Sequence, residues 1–240
     1  MKPYWTDGAI TIYHGDCREI LLALEAGSVQ TVITDPPFGA VTHAGARSNS
    51  NDHHGFPEQR VAIDFAPMSA SEVADVLEDL TLRLCIGWVV ATIDWRHALE
   101  LERRGLLVRL GVWIKPNAMP QMTGDRPGTG WEAVAVCHRP GKKSWNGGGG
   151  AAVWNFGTSR YGNFGPSLHP TEKPLPLIAT WIKQFNAEGG LILDPFMGSG
   201  TTLRAAKDAG LSSIGVEICE AYCEIAAKRM EQGVFDWSEP

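Results

Sequence analysis

The sequence lacks any long hydrophobic run. No stretch approaches the roughly 20 consecutive apolar residues that a membrane-spanning helix needs, so we predict no membrane segment. The first residues also lack the apolar core of a secretory signal peptide. We therefore expect a cytoplasmic protein.

Cysteine and histidine give no sign of a metal site. The five cysteines form no Cys-x-x-Cys pair and no even-numbered disulfide framework, so we expect five reduced thiols. Cys219 and Cys223 are four residues apart, which fits one face of a helix better than a pair of metal ligands. His43, His53 and His54 cluster in a polar segment, but their spacing matches no ligand pattern, and we expect solvated loop histidines.

The net charge of −6 does not by itself favour a nucleic-acid partner. The charge is unevenly distributed, however. Residues 113–185 carry eight Lys or Arg and three Asp or Glu, a local charge of +5, which leaves −11 for the rest of the chain. A locally basic face on an acidic protein can hold phosphates. The alternative is a cluster of solvated surface charges.

The composition is that of a globular chain with one substantial core. Of 240 residues, 44% are hydrophobic and 20% are charged, and no repeat or domain boundary is visible, so we expect a single domain over residues 1–240. Apolar runs predict seven strands, at 9–13, 29–34, 86–93, 106–114, 131–137, 190–194 and 212–216. Helical patterns predict helices at 17–25, 95–104, 173–186, 201–209 and 219–231, and a capping box from Ser69 to Glu72 begins another.

The alternation of strands and helices predicts an α/β fold, with a mostly parallel sheet covered by helices on both faces. The strands at 106–114 and 131–137 have no helix between them, which predicts an antiparallel pair at the edge of the sheet. Two long irregular segments, 39–62 and 139–168, interrupt the pattern. Loops of this length in a compact domain are usually functional or disordered.

Two short motifs follow predicted strands. Asp35-Pro36-Pro37-Phe38 comes directly after the apolar run 29–34, and a glycine-rich loop, Asp194-Pro-Phe-Met-Gly-Ser-Gly-Thr201, follows the strand at 190–194. Open α/β sheets bind ligands at the carboxyl ends of their strands. The loop is not a phosphate-binding P-loop, because no Lys follows Gly200, and Leu203 occupies the place of the third glycine of a dinucleotide fingerprint.

With the first motif near the N-terminus and the second near the C-terminus, the chain resembles the amino-directed DNA methyltransferases whose motifs are permuted in the order called the β group. The resemblance covers nearly the whole chain. It implies a Rossmann-like methyltransferase fold with a seven-stranded sheet, S-adenosylmethionine as cofactor and double-stranded DNA as substrate, with the target base flipped out.

The resemblance also assigns cofactor-binding residues. The glycine-rich loop wraps the methionine end of the cofactor, Glu217 holds the ribose hydroxyls, and Asp16 holds the adenine amino group. Glu217 can instead serve a helix dipole, and Asp16 can be a helix cap. A segment similar to the family's His-Pro-x-x-Lys-Pro begins at residue 169 and closes over the cofactor carboxylate. The implied cofactor residues are Asp16, Cys17, Thr171, Lys173, Asp194, Phe196, Gly198, Ser199, Gly200, Thr201 and Glu217.

Asp35, Pro36, Pro37 and Phe38 are the candidate catalytic residues. An exocyclic amine is a poor nucleophile because its lone pair is delocalised into the ring. The Asp35 carboxylate and the Pro36 carbonyl can accept its two hydrogens and stabilise the positive charge that develops on the nitrogen. The prolines stiffen the turn, and Phe38 offers a ring face for an extruded base.

The identity of the target base depends on the first residue of this motif. In the family, Asp at this position accompanies adenine, whereas cytosine enzymes more often have Ser. A cytosine-N4 methylase, a methylase of RNA or protein, and an inactive nucleic-acid-binding module are the alternatives.

Target recognition is where the resemblance is incomplete, since many relatives carry a large recognition insert and this chain has only the segment 139–168. A Trp-Lys-Pro-Asn segment similar to the family's suggests Lys115 and Asn117 as contacts to the target pocket or to phosphate. The remaining predicted DNA contacts are Arg139, Lys142, Lys143 and Arg160. Either recognition is modest, or the segment 39–62 shares it, or a second subunit contributes. A homodimer and a cognate restriction endonuclease are therefore candidate partners.

Overall fold

The computed structural model describes residues 1–39, 67–118, 120–121, 124–158 and 172–233. The described residues form one sheet of nine strands in the spatial order β1-β2-β9-β8-β3-β4-β6-β5-β7. The strands are β1 (Trp5–Thr6), β2 (Ile10–His14), β3 (Val29–Thr34), β4 (Cys85–Ile93), β5 (Leu107–Ile114), β6 (Trp131–Cys137), β7 (Val153–Asn155), β8 (Ile192–Asp194) and β9 (Ser213–Glu217).

The sheet is mostly parallel, as the sequence predicted, but the prediction of seven strands was wrong. The two additional strands, β1 and β7, lie at its two edges. Strands β5 and β6 form the predicted antiparallel pair, yet they are not the edge, because β7 pairs in parallel with β5. Segments of two and three residues are too short to show an alternating pattern, which is why the sequence did not reveal them.

Helices cover both faces of the sheet. They are α1 (Cys17–Ile20), α2 (Ala70–Asp79), α3 (Ala98–Arg103), α4 (Leu175–Phe185), α5 (Thr201–Asp208) and α6 (Glu220–Glu231). The predicted capping box at the start of α2 is present, with Ser69 and Glu72 each bonded to the other's backbone N–H. Within the described ranges, no helix is long and apolar enough to cross a membrane.

Consecutive strand residues point to opposite faces of the sheet, and the buried residues divide accordingly. Val32 of β3 packs with α2 and α3, whereas the next residue, Ile33, packs with α4 and α5. Val89 and Val90 of β4 divide in the same way. Continuous apolar runs are typical of such doubly covered strands, which explains why β3 and β4 were readily predicted.

Seven of the strands run in the same direction, so their carboxyl ends meet along one side of the sheet, which we call the site edge. Strands β2, β3, β4, β8 and β9 all end there, and β6 begins there because it is antiparallel to β4. The opposite side, where β3 and β4 begin, is called the far edge. Both sequence motifs follow strands that end at the site edge.

Candidate active site

A cavity of about 400 Å³ opens at the site edge. Its volume lies in the range of about 300–1,000 Å³ that is usual for small-molecule sites. The predicted residues that line it are Asp16, Cys17, Asp35, Pro37, Lys173, Asp194, Phe196, Gly198, Ser199, Thr201 and Glu217. The structure therefore brings the two distant motifs to one cavity. The hydrogen bond from Thr34 Oγ1 to Asp194 Oδ1, between residues 160 apart in sequence, also joins them.

Asp35 begins the loop after β3, and each of its carboxylate oxygens accepts a hydrogen bond. Thr92, near the end of the neighbouring strand β4, donates to Oδ1, and the Lys173 ammonium donates to Oδ2 at 2.6 Å. About a quarter of the Asp35 side chain is exposed. Burial raises the pKa of the Asp35 carboxyl; Lys173 opposes this and Glu132 adds to it.

A row of alternating charges extends from Asp35 across the sheet. Lys173 lies 3.4 Å from Glu132 Oε2 as well as bonding Asp35, and Lys115 donates to Glu132 Oε1. The row forms because β3, β4, β6 and β5 are adjacent in the sheet, and Glu132 of β6 is in register with Trp113 of β5. We call Asp35, Lys173, Glu132 and Lys115 the charge row.

The two central members of the charge row hold each other ionised. Burial lowers the pKa of Lys173, but Asp35 and Glu132 together raise it above its usual value. Burial likewise raises the pKa of Glu132, and Lys173 and Lys115 outweigh this, so that its pKa is lowered. Sequence reasoning assigned no role to Glu132 or Thr92, because their places beside Asp35 and Lys173 depend on which strands are neighbours in the sheet.

Lys173 therefore has a different set of partners from the one the sequence suggested. It was expected to supply charge to the carboxylate end of a cofactor, and in the structure its ammonium contacts Asp35 and Glu132. It also lies 5.8 Å from the centre of the Phe38 ring, which places a cation near the aromatic side chain of the Asp-Pro-Pro-Phe motif. Lys173 belongs to the catalytic half of the cavity by its contacts.

The glycine-rich loop after β8 turns through two glycines with positive φ, Gly198 at +52° and Gly200 at +80°. Gly200 is followed directly by α5, and a Cβ added to it would lie 2.9 Å from the Cβ of Ala226 on α6. Both the backbone conformation and the close packing therefore require glycine there. Gly200 and Pro36 shape the loops without lining the cavity themselves.

Asp194, at the start of this loop, is buried and fully engaged. It accepts hydrogen bonds from Thr34 Oγ1 at 2.8 Å and from the Phe196 N–H at 3.1 Å. Burial raises its pKa to about 6, against the opposing hydrogen bonds from Thr202 and Thr34. Asp194 thus ties the end of β8 to the end of β3.

Glu217 at the end of β9 joins the glycine-rich loop to the next helix. Its Oε2 accepts the N–H of Gly198 at 3.0 Å, and its Oε1 accepts the N–H of Cys219 at 2.9 Å. Burial raises the pKa of Glu217, partly offset by these backbone hydrogen bonds. A carboxylate has about four acceptor positions, so Glu217 can still accept from hydroxyl donors beside these N–H groups.

Asp16 combines a structural bond with a position on the cavity wall. It is the N-cap of α1, accepting the N–H of Arg18 at 2.9 Å, and it forms an ion pair with the Arg18 guanidinium. The hydrogen bond from that side chain keeps the pKa of Asp16 below its usual value. Cys17 beside it is buried, and burial raises the pKa of its thiol to about 12, so it is a neutral part of the wall.

A second ion pair that the sequence did not predict supports the glycine-rich loop. Arg229 of α6 donates to Glu172 at 2.8 Å and also to Thr201 Oγ1 at 3.2 Å. Both charged side chains are largely buried. This contact fixes the segment before Lys173 against the first residue of α5.

The predicted DNA contacts are dispersed. Lys115 is engaged with Glu132 in the charge row, and its ammonium lies 4.6 Å from the centre of the Trp113 ring. Asn117 forms two hydrogen bonds with the backbone of Thr158, its Oδ1 accepting the N–H at 2.7 Å and its Nδ2 donating to the carbonyl. Both residues lie at the site edge, with side chains turned to protein partners.

Arg139, Lys142 and Lys143, which the sequence suggested as DNA contacts, do not lie beside Asp35. Their segment follows β6, which ends at the far edge, and it is held there by the hydrogen bond from Trp88 Nε1 to the Ser144 carbonyl at 2.7 Å. Lys142 and Lys143 line a smaller cavity with residues from the starts of β3 and β4. Arg160 and Thr171 lie outside the described residues.

Comparison with known proteins finds relatives among Type II methyltransferases. The Type II methyltransferase M.XycI of Xanthomonas campestris pv. cyanopsidis is 28% identical over 271 aligned residues, covering 92% of this chain and 87% of the relative. The Type II methyltransferase M.Cfr9I of Citrobacter freundii is 28% identical, with 96% and 90% covered. M2.DpnII of Streptococcus pneumoniae, also a Type II methyltransferase, is 24% identical, with 96% and 92% covered.

Solved structures share the fold. The M1.HpyAVI–SAM complex matches with a TM-score of 0.67 and 24% identity, over 93% of this chain and all of that one. The PvuII DNA methyltransferase, described as cytosine-N4-specific, matches with a TM-score of 0.73 and 17% identity, over 98% and 91%. The family model described as DNA methylase matches residues 29–228, which include both motifs and the charge row. The chain belongs to the DNA methylase family.

Proposed function

We propose that the protein transfers a methyl group from S-adenosylmethionine to the exocyclic amino group of adenine in DNA. The observation that carries this proposal is the position of Asp35. Its carboxylate lines the same cavity as the glycine-rich loop and Glu217, so an amine acceptor and a cofactor site share one space.

The residues of the cavity fit this cofactor. Glu217 retains acceptor positions for the two ribose hydroxyls after accepting two backbone N–H groups. The start of α5 offers the positive end of a helix dipole to a carboxylate. Asp16, Cys17 and Phe196 line the wall toward which an adenine ring would extend.

The catalytic loop supplies the acceptors that the amine requires. Asp35 and the Pro36 carbonyl accept the two amine hydrogens, which draws the nitrogen toward tetrahedral geometry and stabilises its developing positive charge. When bound, S-adenosylmethionine supplies a sulfonium methyl group: the N–C bond forms as the S–C bond breaks, and the electron pair of that bond returns to sulfur. Asp35 then takes the proton that the methylated amine must release.

The DNA substrate must present its base outside the helical stack, because the amino group lies inside a duplex. Phe38, half-buried beside Lys173, offers a ring face on which such a base can stack. Adenine is favoured over cytosine by the Asp at the first position of the catalytic motif. The observation in favour of the second candidate, cytosine, is the similarity of the fold to the PvuII enzyme, which is described as cytosine-N4-specific.

The test is to incubate the protein with methyl-labelled S-adenosylmethionine and amplified DNA, whose exocyclic amino groups carry no methyl groups, and to identify the labelled nucleoside. We expect N6-methyladenine. Label in N4-methylcytosine would show that the target base is cytosine, the second candidate. Label in RNA or protein but not in DNA would overturn the proposal.

A further inference from the structure

The charge row contains more ionised groups than the proposed methyl transfer uses. Of these four side chains only Asp35 is proposed to contact the target amine, while Lys173 and Glu132 extend behind it and are only 10% and 17% exposed. Burying charges is costly unless each is paired. Lys173 and Glu132 are paired with each other and with their neighbours, yet the proposed binding of a base and a cofactor uses neither of them.

Lys173 lies between two carboxylates at unequal distances. Its ammonium donates to Asp35 Oδ2 at 2.6 Å, whereas Glu132 Oε2 is 3.4 Å away. That Glu132 oxygen is buried, and among the described residues it makes no hydrogen bond of normal length and geometry. A displacement of Lys173 by less than about 1 Å would give it a hydrogen-bond length of about 2.8 Å to Glu132.

A carboxylate that is fully neutralised by an ammonium attracts a developing cation weakly. Asp35 must accept a hydrogen from the target amine and stabilise the positive charge on it, so Lys173 opposes the reaction for as long as it remains bonded to Asp35. The Oε2 of Glu132, already within ion-pair distance of Lys173, offers the ammonium an alternative position close by.

We propose that Lys173 and Glu132 are positioning residues for Asp35: Lys173 holds the carboxylate ionised before the base arrives, and transfers to Glu132 when the target amine replaces it. This inference rests on the proposed methyl transfer. It assigns neither residue a contact with substrate.

The charged groups around Asp35 lie on or beside four elements, and they predict opposite shifts of the Asp35 pKa when Lys173 or Glu132 is neutralised. Lys173, before α4, lowers the pKa of Asp35, whereas Glu132 of β6 raises it. Asp194 of β8 interacts with Asp35 unfavourably when both are ionised, and Lys115, after β5, compensates Glu132. Thr92 of β4, which is uncharged, donates a hydrogen bond to Asp35.

The experiment measures kcat/KM against pH for methylation of amplified DNA by Lys173→Gln and Glu132→Gln. In Lys173→Gln we expect the pKa of Asp35 to rise further. The acid limb of the pH profile, where kcat/KM falls as Asp35 is protonated, then moves to higher pH by about one unit or more. In Glu132→Gln the acid limb moves to lower pH. The plateau value of kcat falls at least tenfold, because Lys173 has no carboxylate to move to when it leaves Asp35. Lys173→Arg keeps the charge and is expected to restore the wild-type limb.

Two further measurements separate this role from others. Carboxyl ¹³C NMR, with Asp35→Asn to assign the signal, follows the pKa of Asp35 in the protein without DNA and is expected to show the same opposite shifts. Calorimetry is expected to give unchanged affinity for S-adenosylmethionine in all three variants, which also shows that they fold. Lys228→Gln and Glu224→Gln, from an exposed ion pair on α6, are the matched controls.

The outcomes are distinguishable. If the wild-type protein methylates no DNA, the proposed function fails. If it methylates DNA but the limbs of the two variants do not shift in opposite directions, the positioning role fails alone. If Lys173→Gln loses cofactor affinity and its acid limb does not shift, Lys173 binds the cofactor and does not position Asp35.

Discussion

Each carboxylate oxygen of Asp35 accepts a hydrogen bond, and the side chain also lines the cavity. A substitution of Asp35 is therefore the most direct test of the proposed mechanism. In Asp35→Ala we expect kcat to fall at least 100-fold, because an acceptor that acts in the transition state is lost. Cofactor affinity measured by calorimetry should be unchanged. Asp75→Ala, at a largely exposed position on α2, is the control. Turnover near the wild-type value in the Asp35 variant would remove this residue from the mechanism.

Glu217 has both a structural and a proposed binding role, and a substitution affects both. Glu217→Ala is expected to weaken S-adenosylmethionine binding by about 1.5–3 kcal/mol, the range for a hydrogen bond to a charged group. It also leaves the N–H groups of Gly198 and Cys219 without their acceptor, so the melting temperature should fall. Calorimetry measures the first effect and thermal unfolding the second. Glu224→Ala, exposed on α6, should change neither; an unchanged cofactor affinity in Glu217→Ala would leave Glu217 with its structural role alone.

At the scale of single residues, the sequence predicts the residues of a motif but not the side chains, distant in sequence, that contact them. Asp35 and Glu217 could be identified because each directly follows an apolar run. Glu132 could not, because its place beside Asp35 depends on the spatial order β3-β4-β6, in which neighbours are distant in sequence. Lys173 was identified by resemblance, but its partner Asp35 is 138 residues away.

At the scale of elements, the glycine-rich loop depends on the packing of α5 against α6. Gly200→Ala forces a non-glycine residue to a φ of +80° and brings its Cβ to 2.9 Å from Ala226. Gly210→Ala is the matched control, since it has a φ of +68° but no atom within 4 Å of the added Cβ. We expect Gly210→Ala to cost about 1–2 kcal/mol of unfolding free energy, the cost of the left-handed conformation.

Gly200→Ala should cost more than this control, because the helices must separate to admit the methyl group, and it should weaken cofactor binding as well. Urea denaturation of the two variants measures the difference. Equal losses of stability would mean that the α5–α6 contact relaxes freely and that only the backbone conformation requires glycine at position 200.

The elements that the sequence predicted well carry a strong local signal, such as a continuous apolar run or a capping box. The predicted strand at 29–34 coincides with β3, and the capping box correctly begins α2. The predicted helix at 95–104 is instead a 3₁₀ turn, Trp95–His97, followed by α3. Asp94 caps the 3₁₀ turn through the N–H of Arg96, a local hydrogen bond that a helical period does not reveal.

At the scale of the whole molecule, the direction of the strands decides which charges can act together. The positive segment 113–185 looked like one basic surface in the sequence, but its described part crosses the sheet. Lys115 is at the site edge, Lys142 and Lys143 are at the far edge, and β7 returns toward the site edge. A sum of charge along a sequence does not define a face when the chain reverses within it.

The two edges can be compared by measuring DNA binding against salt concentration. Lys142→Gln/Lys143→Gln removes two cations from the far edge, remote from Asp35, so we expect DNA affinity and its salt dependence to be unchanged. Arg96→Gln is the comparison at the site edge, where Arg96 is half-exposed on the turn after β4. If it contacts a phosphate, its loss should weaken binding and reduce the slope of log K against log salt by about 0.9. A shallower slope in the double variant instead would mean that DNA reaches the far edge, and that the segment after β6 contacts it there.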